Sequence, residues 1–235
     1  MHSAKKARVF HEGEWKTKLP KKITDRNEAI ILLCKDKLVL HLGCVDYPYT
    51  REQIRDDRFL HTKIMSVARD VIGVDKDEKG IKALSEMGIN NIMYADVENI
   101  ADLKLPIFEV IVAGELLEHL KNPGLFLDAI KKYMREDSLL IVSVPNAFCL
   151  RNFMKIPLGM ERVHPGHFYY FSHATLSSLL QGCGFTIIDR SSYRFKGDRM
   201  SLASIAEKIA SLISPNYCEG IIHVAKRSQT NSEGG

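Results

Sequence analysis

The chain has 235 residues, 45% of them hydrophobic and 26% charged, with a net charge of +4. That is long enough to bury a substantial core, and the balance is that of an ordinary globular protein, not a fibrous or disordered one. The excess of basic charge lies partly in the first 22 residues (Lys5, Lys6, Arg8, Lys16, Lys18, Lys21, Lys22). This reads as a solvated arm, and no aromatic-interleaved basic stripe follows it, so no nucleic-acid partner is expected.

Residues 1–34 therefore read as a basic, partly helical extension. Beyond them, apolar runs at 38–42, 71–75, 91–94, 109–113, 139–144, 186–189 and 221–225 predict strands. Helical patterns at 59–69, 77–87 and 124–135 lie between the early ones, the third with Asn122 as N-cap and Pro123 at the first helical position. A fourth, 174–181, follows Ser172 as its N-cap. Continuous apolar strands separated by helices predict a parallel sheet covered on both faces. One α/β domain over 35–226 follows, with RSQTNSEGG (227–235) as a disordered tail.

The segment 145–172, rich in Pro, Gly, His and aromatics, interrupts the alternation just after the fifth strand. Ligands of open α/β sheets bind outside the carboxyl ends of strands, so this insertion is a candidate substrate-side loop. The amphipathic run 201–213 (Leu202, Ile205, Ile209, Leu212, Ile213) predicts core packing or the face of a homodimer. The five cysteines include no CxxC pair and indicate neither a disulfide framework nor a thiolate zinc site. No apolar stretch approaches about 18 residues, so membrane insertion is not expected and a cytoplasmic protein is.

The strand ends carry the chemistry. Gly43 follows the first strand, Asp75 closes the second (VIGVD), Asp96 follows the third (YADVE), and Glu115 and His119 follow the fourth (VAGELLEHL). Singly, an acid at a strand end is most often a turn or cap residue. In this order on one sheet edge they suit a nucleoside-type cofactor. A carboxylate ending the second strand can accept ribose hydroxyls, and an acid after the third can meet the adenine amine with Val97 against the ring.

These residues, with VLHLGC, EVIVAGELLEHLKNPGLFL, SLLIVSVPN and FSHATLSSLLQGCGFTII, make the chain resemble the class I S-adenosylmethionine-dependent methyltransferases. Within them it is most similar to the ubiquinone-biosynthesis-like small-molecule group. The resemblance spans about residues 36–190 and implies a Rossmann-like sheet of seven strands, order 3-2-1-4-5-7-6, mostly parallel with the seventh antiparallel. Carried over, it places Gly43 and Cys44 at the methionine end of S-adenosylmethionine, Asp75 and Lys76 at the ribose, Asp96 and Val97 at the adenine, and Ala113 and Gly114 beneath the methyl group.

Two departures stand out. The acid expected two residues before the first glycine is His41, and the later loop glycines are Val45 and Tyr47. A thirteen-residue insertion, 46–58, precedes the next helix and is expected to rebuild this wall. In it Asp46 either takes the cofactor ammonium or caps a turn, and His61 is either a cofactor neighbour or a helix-surface residue.

For the acceptor, the resemblance implies methyl transfer to a small molecule, with a sugar or glycan precursor or a phenolic hydroxyl as the favoured class. Alternatives are a nitrogen- or carbon-directed enzyme, a non-catalytic binding protein of the same fold, and a dehydrogenase, which the missing Gly-x-Gly-x-x-Gly disfavours. Hydroxyl acceptors need a base or a metal, and His119, His167 and Glu115 are the catalytic candidates. Glu115, Glu118 and His119, spaced i, i+3, i+4, would share a face of one helical turn and could hold Mg²⁺. His164 flanks His167 in the H-P-G-H loop. His173, beside Ser172, is assigned a structural role, and His223 has no constellation around it. Asn146 is expected to fix the loop or touch substrate.

Overall fold

The computed structural model describes residues 19–161, 163–194 and 202–228. The first eighteen residues of the basic arm, Ser201 at the start of the last expected helix, and 229–235 of the tail lie outside the described residues. Eight strands form one sheet: β1 (Ile23–Thr24), β2 (Leu38–Leu42), β3 (Asp70–Asp75), β4 (Ile92–Tyr94), β5 (Phe108–Gly114), β6 (Met134–Pro145), β7 (Phe185–Tyr193) and β8 (Gly220–Arg227). Their order is β1-β7-β8-β6-β5-β2-β3-β4. All neighbours are parallel except β8, which is antiparallel to both β6 and β7. The sequence thus anticipates β2 to β8 and their order. The addition is β1, a two-residue edge strand on β7.

The central strands are mostly apolar because both faces are covered. In β5, Ile111 and Ala113 turn to one core with Leu40, Leu42, Leu140 and Val142, beneath Phe126, Leu127, Leu176 and Leu180. Val110 and Val112 turn to the other, with Val39, Ile141, Ile30 and Leu60. Each such fully buried aliphatic side chain contributes roughly 1.5–3 kcal/mol. The helices on the first face include α5 (Pro123–Ile130) and α7 (His173–Gly182); those on the second are α1 (Arg26–Cys34) and α3 (Leu60–Met65). The stretch before residue 35 is therefore drawn into the domain: Asp25 caps α1 by accepting the Glu28 N–H, and Ile30 and Cys34 are buried.

Several boundaries shift for local reasons. The helix expected over 124–135 ends at Ile130, and one 3-10 turn leads into β6 at Met134. Buried Met134 pairs with Phe108, and the Ser138 hydroxyl donates to the Phe108 carbonyl, which draws residues 134–138 into the sheet. The side chain of Asn122 makes no cap bond. Glu98 Oε1 instead accepts the Lys121 and Asn122 N–H groups at 2.9 and 3.3 Å. The helix expected over 59–69 stops at Met65, since the Arg69 N–H is already committed to the Lys37 carbonyl. Ser172 and Thr175 form the capping box that starts α7. The 46–58 insertion contains α2 (Thr50–Arg55), and α4 (Glu78–Ser85) follows β3. The 145–172 insertion contains α6 (Leu150–Lys155) and is followed, after β7, by α8 (Leu202–Ile213). Among the described residues no helix is long and apolar enough to cross a membrane.

Candidate active site

The carboxyl edge of β2 to β5 gathers most of the expected cofactor residues. Gly43 has a left-handed backbone (φ +63°) and donates its N–H to the Val74 carbonyl at 2.9 Å, a conformation that favours glycine. Asp75 lies at the tip of β3. Its two oxygens accept the Val45 N–H at 2.8 Å and the Asp77 N–H at 2.9 Å. Burial raises its pKa, and those amides oppose the rise. These bonds position the carboxylate and leave acceptor capacity on its oxygens. Asp96 caps the turn after β4 by accepting the Glu98 N–H, with Lys76 Nζ 3.9 Å away and Val97 buried beneath.

The rebuilt loop finds its space on α4. A Cβ at Gly80 would stand 2.2 Å from Val45 Cγ1 and 3.1 Å from Tyr47 Cβ, so glycine at 80 accommodates the side chains that replace loop glycines. Asp46 is exposed, and its backbone carbonyl closes a turn onto the Tyr49 N–H.

Cys44 and His61 do not join this edge with their side chains. Both are buried against Gly73, where a Cβ would lie 2.8 Å from Cys44 Sγ and 2.9 Å from His61 Cε1. His61 Nε2 meets Asn91 Oδ1 at 3.3 Å, and its Nδ1 lies 3.1 Å from His41 Nδ1. Asn91 Nδ2 donates to the Val71 carbonyl, which fixes the amide with Oδ1 as acceptor. His61 therefore carries its proton on Nε2, and His41 donates Nδ1–H to it. Burial lowers the pKa of both rings. His41, standing where an acid is usual, is thus half of a neutral stacked pair. His61 is buried, not a surface residue.

At the ends of β5, β6 and β7 lies a buried polar cluster that sequence reasoning missed. Arg26, from α1, donates Nε–H to Ser143 Oγ at 2.8 Å and passes over Gly114, where a Cβ would be 2.3 Å from Nη2. Gly114 is therefore closed off by a guanidinium on that side, and the side chain of Ala113 is in the core. Glu115 takes a left-handed backbone (φ +53°), and the Tyr193 hydroxyl donates to its Oε1. That conformation costs a non-glycine residue roughly 1–2 kcal/mol. Burial raises the pKa of Glu115, opposed by the charge of Arg26 and the Tyr193 and Ser143 bonds. Glu118 is buried with no hydrogen bond to either carboxylate oxygen. Burial, and then the nearby Glu115, push its pKa up to about 9, so it is a neutral acid at pH 7. The only local signals for Arg26 and Tyr193 were an Asp cap and a strand end, and neither shows which distant residues will meet.

The Glu115, Glu118 and His119 set, a candidate Mg²⁺ site in the sequence, is not assembled. Glu115 lies outside any helix, residues 117–119 form one 3-10 turn, and His119 Nδ1 is 3.0 Å from the Gly166 carbonyl. His119 instead meets the insertion. Its ring is edge-on to His167, centroids 4.5 Å apart, and to His164 at 5.6 Å. Burial lowers the pKa of His119, and that of His167 to about 4, where His119 and His164 add to the effect. The insertion also forms a partly open cavity of about 470 Å³ with Asn152, Lys155, Ile156, Met160, Glu161 and Tyr170 in its lining. Asn146 fixes the base of the loop. Its Nδ2 donates to the Asn216 and Cys218 carbonyls, and its Oδ1 accepts the Phe148 N–H. His173 is structural, as expected, but His223 is its partner: His173 Nδ1 and His223 Nε2 are 2.9 Å apart.

A family model described as a methyltransferase domain matches residues 36–190. The chain belongs to the class I S-adenosylmethionine-dependent methyltransferases. A "probable S-adenosylmethionine-dependent methyltransferase" of Mycolicibacterium smegmatis is 28% identical over 162 residues, 66% of this chain and 54% of that protein. One of Mycobacterium tuberculosis is 32% identical over 125 residues, 52% of this chain and 43% of that protein. The chain thus spans about half the length of the curated relatives it matches. Among solved structures, a SAM-dependent methyltransferase from Archaeoglobus fulgidus superposes with a TM-score of 0.59 at 20% identity, covering 86% of this chain and 91% of that one. At that identity the likeness is one of fold. These matches do not separate the ubiquinone-biosynthesis-like group from the rest of the family.

Proposed function

We propose that this methyltransferase-family chain binds S-adenosylmethionine along β2 to β5 and transfers its methyl group to a hydroxyl of a small polar acceptor held by the 145–172 insertion. The observation that carries this reading is that, beyond the nucleoside-type strand ends, the end of β5 brings His119 against His167 of the insertion. The Gly43, Asp75 and Asp96 edge suits a nucleoside. His119, at the end of β5, meets His167 of the 145–172 insertion, and the same insertion lines a cavity with Asn152, Lys155 and Tyr170. The donor set fits the cofactor: Asp75 has acceptor directions left for ribose hydroxyls, Asp96 is open to solvent beside buried Val97, and the Gly43 backbone allows close approach. When bound, S-adenosylmethionine supplies an electrophilic methyl group on a sulfonium. The chain's own residues hold, orient and shield the partners. His119 and His167 line the place where the acceptor hydroxyl is activated, and Glu118, holding its proton, is not a base at neutral pH.

The mixed lining of the cavity, with Lys155, Glu161 and Asn152 beside Ile156 and Met160, favours a sugar-like or phenolic acceptor over a purely apolar one. The test is release of S-adenosylhomocysteine with panels of sugar, phenol and amine acceptors. Methylation of hydroxyls that falls sharply in His119→Ala and His167→Ala supports the reading. Methylation of nitrogen or carbon alone, with both variants retaining full turnover, overturns it.

A further inference from the structure

The three imidazoles are held more tightly than proton transfer by one of them requires. The H-P-G-H turn is closed by the His167 N–H donating to the His164 carbonyl at 3.0 Å, and it is pinned to the His119 turn by the Phe168 N–H donating to the Glu118 carbonyl at 2.7 Å. Gly166 lies between the rings. Its carbonyl accepts His119 Nδ1–H at 3.0 Å, and its N–H donates to His164 Nδ1 at 3.2 Å. A Cβ there would be 3.1 Å from His119 Nδ1, so glycine lets one peptide steer two rings. A ligand nitrogen from each of His119, His164 and His167 lies within 4.8 Å of the others, the one such group among the described residues.

We propose that His119, His164 and His167 bind one divalent transition-metal ion of the Zn²⁺ type, leaving a coordination position open. Three neutral nitrogen donors select Zn²⁺, Co²⁺ or Ni²⁺ and are poorly suited to Mg²⁺, which takes oxygen ligands. His119 already has the arrangement of a metal ligand, its Nδ1–H held by a backbone carbonyl so that Nε2 presents its lone pair. With Zn–N bonds of about 2.0–2.1 Å, tetrahedral ligand nitrogens stand about 3.3 Å apart. Ring rotation closes the remaining gap, and exposed His164 exchanges its long bond to Gly166 for the ion. Three histidines and an open position make the ligand set of a catalytic zinc centre. An acceptor hydroxyl at that position loses its proton to water more readily. The inference deepens the hydroxyl-methylation reading and rests on it only for what fills the open position.

The test is direct titration of the full chain, stripped with a chelator, by calorimetry with Zn²⁺ and by visible absorption with Co²⁺. One equivalent should bind at micromolar affinity or tighter and resist millimolar Mg²⁺. The Co²⁺ bands should lack thiolate charge transfer. His164→Ala, on an exposed turn whose loss leaves the core intact, and His167→Ala should each weaken binding at least about tenfold. Absence of one-to-one binding, displacement by Mg²⁺, a thiolate signature, or affinities unchanged in both variants would each overturn the proposal. Because metal affinity is read without methyl transfer, the two proposals can fail separately. A Zn²⁺-binding chain that methylates only nitrogen keeps the site and loses the acceptor reading. A hydroxyl methyltransferase without Zn²⁺ affinity does the reverse.

Discussion

The cofactor edge and the acceptor edge sit on the same sheet but are held in different ways. Along β2 to β4 each functional side chain is fixed by backbone within a few residues or by the neighbouring strand: Asp75 by the amides of Val45 and Asp77, Asp96 by that of Glu98. Along β5 to β7 the groups are fixed by one another across long sequence distances, Arg26 to Ser143, Tyr193 to Glu115, His119 to Gly166. The first kind of site survives the loss of a distant partner. The second fails when any one member is removed.

The largest expected effect breaks the second kind. Arg26→Met leaves Glu115 without its cation in a buried setting, which should cost about 3 kcal/mol in denaturant unfolding. Combining it with Glu115→Gln should restore much of that loss. If the single variant costs less than about 1 kcal/mol, or the double variant is worse than the sum of its parts, the cluster is not a mutually dependent unit.

Acid should loosen both regions, since a neutral histidine pair backs each. The His173 pKa is lowered to about 4, and those of His223, His41 and His61 are lowered as well, all with burial as the first cause. A folded-state pKa below the unfolded value of about 6.5 means the unfolded chain takes protons first. The stability is complete above about pH 6.5 and is lost as pH falls towards 4, by about 3 kcal/mol for His173 alone. Urea unfolding across that range measures it, and His173→Gln should flatten the slope. An unchanged slope would mean that the pair does not exclude protons.

At the cofactor edge, Asp75→Ala should lower affinity for S-adenosylhomocysteine by about 10- to 100-fold, the range for losing charge-assisted hydrogen bonds. Calorimetry reads it, and binding at wild-type affinity would remove the cofactor assignment.

This contrast also explains what was legible in the sequence. Asp75, Asp96 and Gly43 stand where an apolar run stops, so strand ends alone locate them; seven strands followed from alternation, and their order from the family resemblance. Arg26 was hidden in a stretch read as an extension. Its role depends on α1 lying against β5, a packing outcome that carries no local pattern. The burial of His61 was missed because a histidine opening a helix shows nothing of Gly73, whose missing side chain makes the space that buries it. Glu115, Glu118 and His119 were read as a helical face, but the chain leaves β5 through a left-handed residue, and that turn sends Glu115 to Arg26 and His119 to the insertion.

The loop between the two regions gives the finest test. A Cβ at residue 80 collides with Val45 Cγ1, so Gly80→Ala should cost about 1–3 kcal/mol, the usual range for overpacking, and Val45→Ala should relieve part of it. The smallest expected effect is that of Asp46→Ala. Asp46 is exposed, and its structural bond is made by its backbone carbonyl, which the substitution keeps. Its carboxylate acts on the site through space, raising the pKa values of Glu115 and Cys44, and exposed charges of this kind contribute less than about 1 kcal/mol. A change of no more than about threefold in S-adenosylhomocysteine affinity is therefore expected. A loss of tenfold or more would show that the carboxylate contacts the cofactor directly. The insertion would then be a binding element in its own right, and the cofactor edge would share the long-range dependence of its neighbour.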